Sequence, residues 1–170
     1  MRRRAFLWIV ALLPLVPATA SAQDEPVVIY LVRHSERAED GTNDPPISEI
    51  GWARSRLLAE MLADADLTHI HSTDYKRTRS TGQPAAEAAG LEIGEYDPTD
   101  LPGEAARLAS MPGRHLVLGH SNTTPQFVEA LGGEPGGPIE EFEYDRLYIV
   151  TLARGTVSTV LIRFGEKFSG

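Results

Sequence analysis

The apolar positions of this chain fall in short blocks whose period changes along its length. Residues 27–32 (Val-Val-Ile-Tyr-Leu-Val) form a continuous β-branched run, the pattern of a strand buried on both faces. Residues 33–46 are polar and carry Gly41, Asn43, Pro45 and Pro46, which marks a loop. Ser48 then stands as an N-cap, and Ile50, Ala53, Leu57, Leu58, Met61 and Leu62 recur at helical spacing. Residues 67–71 read as a second strand, and 75–89 as a helix weakened by Gly82 and Pro84. Residues 91–96 predict a third, shorter strand. A helix over 100–110 follows, with Pro102 in its first turn, where proline is tolerated. After a turn at 111–113 come a strand at 115–118 and a helix at 124–131. Residues 132–138 form a loop, and a hairpin of 147–152 and 156–163 closes around Arg154-Gly155.

Strands alternate with helices over most of the chain, and no internal repeat interrupts them. This predicts an α/β fold: a three-layer α/β/α sandwich with a mostly parallel central sheet. Ligands of such sheets sit at the carboxyl ends of the strands. Those ends carry a consistent set here. Arg33-His34 ends the first strand, and residues 72–78, with Arg77, follow the second. Asp97 and Asp100 follow the third, and Gly119-His120-Ser121-Asn122-Thr123 the fourth.

Phosphoryl transfer needs an in-line nucleophile, cations around the equatorial oxygens and an acid for the leaving oxygen. A neutral imidazole can attack phosphorus, and a bond to its other ring nitrogen fixes the tautomer. Arg33 and Arg77 each offer a planar fork to phosphate oxygens. His120, protonated among those oxygens, adds a donor, and the backbone N–H groups after it add a fixed dipole. Each residue alone has an ordinary explanation: Arg77 as a helix-surface charge, His120 as a packed histidine. Their placement on one rim gives the joint pattern its meaning.

Four blocks carry a resemblance. Residues 31–36 (Leu-Val-Arg-His-Ser-Glu) resemble the Arg-His signature of the histidine phosphatase superfamily, also called phosphoglycerate mutase-like, and residues 46–51 resemble its first-helix entry. Residues 72–81 resemble the block with its second phosphate-binding Arg, and residues 118–125 the block with its second His. The resemblance implies an α/β sandwich and a nucleophile at His34 that becomes phosphohistidine. It implies a phosphate pocket of Arg33, Arg77 and His120, with Ser121 and Asn122 beside it, and chemistry without metal or other cofactor. Ser35 stands where the commonest form of the motif has Gly, which reads as the mark of a branch. The proton donor varies between branches; Asp97 or Asp100 is favoured here because both directly follow the third strand, and either also serves as a turn former or N-cap.

The expected substrate is a phosphorylated small molecule or a phosphoprotein, including phosphohistidine. The alternatives are a catalytically weak phosphate-ligand binding protein and a phosphoglycerate-type mutase. Little of the chain is long enough to form a cap, so the pocket is expected to be open, which disfavours a mutase that must keep water from its phosphoenzyme.

Composition adds context. Arg2, Arg3 and Arg4, an apolar run at 5–16 and Ala20-Ser21-Ala22 read as a signal peptide over residues 1–22, so that a single domain at 23–170 is exported to the periplasm or medium, free of the membrane after cleavage. The 170-residue chain has no cysteine, which excludes disulfides and thiolate chemistry. Its 16 basic residues face 24 acidic ones, and three of the arginines lie in the leader. A surface this acidic is unsuited to nucleic acid, so a phosphorylated ligand needs a local cationic pocket.

Other features have plainer readings. His69 and His71 share a strand face and with another ligand would suit zinc, but no third ligand follows at a usual spacing, so packed or rim histidines are preferred. Arg54 and Arg56 read as solvated charges. Glu140, Glu141, Glu143 and Asp145 read as a solvated acidic loop.

Overall fold

The computed structural model describes residues 25–169; the expected leader over 1–22 lies outside them. Six strands, β1 (Val27–Arg33), β2 (His69–Ser72), β3 (Ile93–Glu95), β4 (Arg114–Gly119), β5 (Arg146–Ala153) and β6 (Thr156–Arg163), form one sheet in the order β3-β2-β4-β1-β5-β6. β3, β2, β4 and β1 run parallel, while β5 and β6 are antiparallel at one side. This is the expected α/β sandwich with its mostly parallel sheet.

The helices α1 (Glu49–Met61), α2 (Lys76–Ala89), α3 (Leu101–Ala109) and α4 (Thr123–Ala130) cover both faces of the sheet. Leu58, Leu62, Ala85 and Ala86 pack with Val32, Ile70, Leu116 and Leu118 on one face. Leu101, Leu108, Phe127 and Val128 pack with Ile29, Leu31 and Val117 on the other. Alternation along β1 and β4 thus feeds two cores, which is why those strands read as unbroken apolar runs. α2 continues through Pro84, and Gly82 is fixed by packing: a Cβ there would sit 3.0 Å from Leu118.

α1 departs from its apolar pattern. Ser48 caps it as expected, its side chain accepting from the Gly51 amide. Ile50 and Met61, however, are exposed, and the buried positions are Gly51, Arg54, Ser55 and Leu58. The turned-in face is chosen by what lies beneath it. A Cβ on Gly51 would come within 2.4 Å of the Glu36 carbonyl oxygen, and Ser55 Oγ lies 3.0 Å from Ser35 Oγ. α1 therefore backs the loop that follows β1.

Arg54, read above as a solvated charge, is buried. Its Nε and Nη2 pair with Glu36, and Nη1 donates to the Phe164 carbonyl at 2.7 Å. A buried guanidinium needs such full pairing, and the pairing ties the post-β1 loop to the chain after β6. Arg56 is exposed, as expected.

Candidate active site

The ends of β1, β2 and β4 converge on a cleft of about 440 Å³. Arg33, His34, Arg77 and His120 line it together with Ser121, Asn122 and Thr123, and Arg37, Tyr75 and Pro98 form the rest of its wall. The four residues chosen for phosphate chemistry thus come together.

His34 is buried, at 4 % exposure. Its backbone N–H donates to the Gly119 carbonyl at 2.9 Å, which ties the end of β1 to the end of β4. Its ring Nδ1 lies 2.7 Å from the Ser35 carbonyl oxygen. A carbonyl only accepts, so Nδ1 carries the hydrogen and the Nε2 lone pair stays free. Burial, reinforced by the positive Arg33 and Arg77 and by any charge that His120 takes up, pushes the imidazole down to about 3, against the raising effect of the Ser35 bond. The ring is therefore neutral near pH 7. The Ser35 amide donates to Thr81 Oγ1 at 2.9 Å, and that hydroxyl donates to the Arg77 carbonyl at 2.7 Å. One threonine thus joins the loop after β1 to the turn of α2 that carries Arg77.

Arg33 Nη1 donates to the carbonyls of Glu140 at 2.7 Å and Glu143 at 3.1 Å. Its guanidinium lies 4.2 Å from the centre of the Tyr144 ring, and its buried Nε has no partner among the described residues. A buried donor beside a cleft is suited to an incoming anion. The loop that supplies those carbonyls is the acidic stretch read above as solvated. Glu140 and Glu141 are exposed, but Glu143 and Asp145 are buried. Glu143 accepts from Arg146, Arg163 and the Glu140 amide, and Asp145 accepts from Arg163. The arginine pairs and amide bond hold Glu143 down at about 2, overcoming the opposing effect of burial, which is the largest single influence. This buried ion network fixes the loop, and through its carbonyls the loop fixes Arg33.

Arg77 lies 4.3 Å over the Tyr75 ring, and Asp44 stands 3.6 Å from its Nη1. The Tyr75 ring meets His120 edge-on at 5.0 Å. Tyr144 lies 5.9 Å from the His34 ring, so each arginine–histidine pair shares a tyrosine. His120 Nε2 is 3.0 Å from Thr73 Oγ1, which in turn is 3.0 Å from Thr78 Oγ1. The Thr78 hydroxyl has two carbonyl acceptors, Thr73 and Tyr75. With Thr78 donating to a carbonyl and Thr73 to Thr78, His120 Nε2 donates to Thr73. Burial first, then Arg77 and Arg33, push His120 down to about 4. It is therefore neutral near pH 7, and a dianion bound beside it would oppose that shift. Gly119, just before it, is packed so closely that a Cβ would meet the Thr123, Thr124 and Tyr96 oxygens at about 3 Å.

Asp97 and Asp100 hold local backbone. Asp97 accepts from the Thr99 amide and hydroxyl, which lower its carboxyl further, and Asp100 caps α3 by accepting from the Gly103 amide. Neither is among the residues lining the cleft, although Pro98 between them is.

His69 and His71 are packed, with a third histidine that sequence reasoning missed. His115, register partner of His69, stacks on it at 4.8 Å, and His71 Nε2 lies 3.1 Å from His115 Nδ1. Nitrogens bonded to each other do not converge on a cation, and among the described residues no group of three has metal-site geometry. The stack lies at the amino-terminal end of β2 and β4, away from the cleft.

Known proteins add to this picture. A family model described as histidine phosphatase superfamily (branch 1) matches residues 29–98, which include Arg33, His34 and Arg77. A probable phosphoglycerate mutase GpmB of Yersinia pestis (strain Pestoides F) is 39% identical over 71 residues, covering 38% of this chain and 33% of that protein. The corresponding protein of Serratia proteamaculans is 38% identical over the same length. The chain thus spans about a third of the length of these curated relatives. The structure of the protein histidine phosphatase SixA complexed with tungstate superposes with a TM-score of 0.65 at 19% identity, covering 80% of this chain and 96% of that one. A putative phosphohistidine phosphatase SixA from Agrobacterium tumefaciens gives 0.61 at 24% identity, covering 81% and 98%. At those identities the superpositions speak for the fold. Residues 29–98 are thus similar in sequence to the histidine phosphatase superfamily, and the superpositions show the fold.

Proposed function

We propose that the cleft transfers a phosphoryl group from a phosphate monoester, phosphohistidine or phosphoprotein to His34 Nε2, and then to water, without a metal ion. The observation that carries this is the His34 Nδ1–Ser35 carbonyl bond, which leaves the Nε2 lone pair free in a cleft walled by Arg33, Arg77 and His120. Nε2 attacks phosphorus as the bond to the leaving oxygen or nitrogen breaks, and the imidazole is left positive. The two guanidiniums and the His120 ring take the charge of the equatorial oxygens. Water then attacks phosphorus, His34 departs as neutral imidazole, and inorganic phosphate leaves with the proton balance closed through solvent.

The curated relatives named as probable phosphoglycerate mutases favour a second reading, in which the phosphoryl group returns to a substrate hydroxyl. The open cleft supports water as the acceptor, because a mutase must exclude it. Phosphate release from an aryl phosphate and a phosphoglycerate, in excess chelator, tests both readings. Chelator-resistant release that falls about a thousandfold or more in His34→Ala is expected for a lost nucleophile. Isomerised phosphoglycerate without phosphate release would favour the mutase, and full activity in His34→Ala would remove the histidine mechanism.

A further inference from the structure

A phosphoryl group held by Arg33, Arg77 and His120 lies at one end of a longer depression. A groove of about 370 Å³ opens beside the cleft, and Pro98 is a wall of both. Pro98, Leu101 and Pro102 line the groove from the 97–102 segment, and Gln126, Glu129 and Ala130 line it from α4. The same helix serves the two cavities. Thr123, its first residue, lines the cleft, while Gln126 and Ala130, one and two turns on, line the groove. The rise of a helix puts Ala130 about 10 Å beyond Thr123. The groove therefore continues the cleft along α4.

Its wall is fixed in advance. Asp97 accepts from the Thr99 amide and hydroxyl, and Asp100 accepts from the Gly103 amide. Pro98 and Pro102 each hold φ, and Leu101 packs into the core with Leu108 and Phe127. The two carboxylates first read as candidate acids thus build the groove. A preformed apolar wall costs little ordering when it is filled. Its charge is opposite to that of the cleft. The lining includes Glu129 and, among the described residues, no cation, and Asp97 and Asp100 stand exposed on the adjoining segment. An anionic tail is therefore repelled where an apolar one is accepted.

We propose that this groove binds the leaving part of the substrate, and that the part it takes is an elongated hydrocarbon, alkyl or aryl, without negative charge. The inference rests on the phosphatase reading and narrows its substrate class to phosphate esters with an apolar tail.

The test is a series from phenyl phosphate to para-alkylphenyl phosphates with chains up to hexyl, whose phenols differ little in acidity. In the wild type kcat/KM should rise by about two- to fourfold per methylene, the scale of partial to full burial of a CH2 group. The rise should come chiefly through KM, the sign of binding shared by ground and transition states. Ala130→Trp and Gln126→Trp, each at an exposed position of α4, should flatten it. The same chain ended by a carboxylate should gain nothing over phenyl phosphate. A flat series in the wild type, an undiminished rise in both tryptophan variants, or an equal gain with the carboxylate-ended chain overturns the inference and leaves the phosphatase reading standing. Turnover of no ester, phenyl phosphate included, overturns both.

Discussion

His34 Nδ1 lies 2.7 Å from the carbonyl oxygen of Ser35, so the residue that follows His34 sets its ring tautomer through the backbone. The contact depends on no Ser35 side-chain atom. The Ser35 hydroxyl faces Ser55 instead, and its amide is taken by Thr81. A serine in place of the more common glycine thus fits the loop, because α1 turns a small polar face toward it.

The shared tyrosine is open to test by anion affinity. Arg77 rests on the Tyr75 ring, whose edge meets His120. Tyr75→Leu is expected to weaken inhibition by tungstate or phosphate by about two- to fivefold, the scale of a partly exposed cation–π contact. Tyr75→Phe keeps the ring and should stay near wild type. Arg77→Ala removes charge-assisted bonds and should cost about tenfold or more. Unchanged inhibition constants in Tyr75→Leu would contradict the ring's role.

Asp97 allows a sharp test of the proton donor. Its carboxylate is occupied by Thr99 and held below its ordinary range by those bonds. Asp97→Asn is therefore expected to change rates on esters with poor and good leaving groups in the same proportion. A loss confined to poor leaving groups would make Asp97 the acid.

Acid should destabilise the fold in two windows. His34, His71, His115 and His120 are all lowered, chiefly by burial, to about 3 for His34 and His71 and about 4 for His120. The unfolded chain thus binds more protons once the pH falls below about 6.5, and stability present above that value is lost toward the folded values, at up to about 1.4 kcal/mol per pH unit for each histidine. Glu143, held at about 2 although burial opposes it, adds a second loss below the ordinary carboxylate range. Denaturant unfolding from about pH 7 to about pH 4 should show the first window, flattened in His71→Gln. A flat profile in the wild type would contradict the buried neutral histidines.

Much of this was legible before the structure. All ten elements follow from the apolar blocks, and the ends of β1, β2 and β4 placed Arg33, His34, Arg77 and His120 on one rim. What escaped depends on tertiary register. His115 joins His69 only because β2 and β4 pair at those positions. Arg54 has the spacing of a surface charge, and its burial depends on Glu36 and on the chain end after β6. Tyr144 carries no motif, and it meets Arg33 through a loop more than a hundred residues away. Tyr75 and Thr73 stood inside a block already singled out, where an aromatic two places before Arg77 was the available signal.

The central claim is covalent, so the most direct measurement looks for the bond itself. The protein is mixed with an aryl phosphate, quenched in alkali, which preserves phosphohistidine, and digested for mass spectrometry. The account requires a phosphoryl group on His34 during turnover, absent in His34→Ala. Turnover with an unmodified His34, or a phosphoryl group on His120 instead, would contradict it.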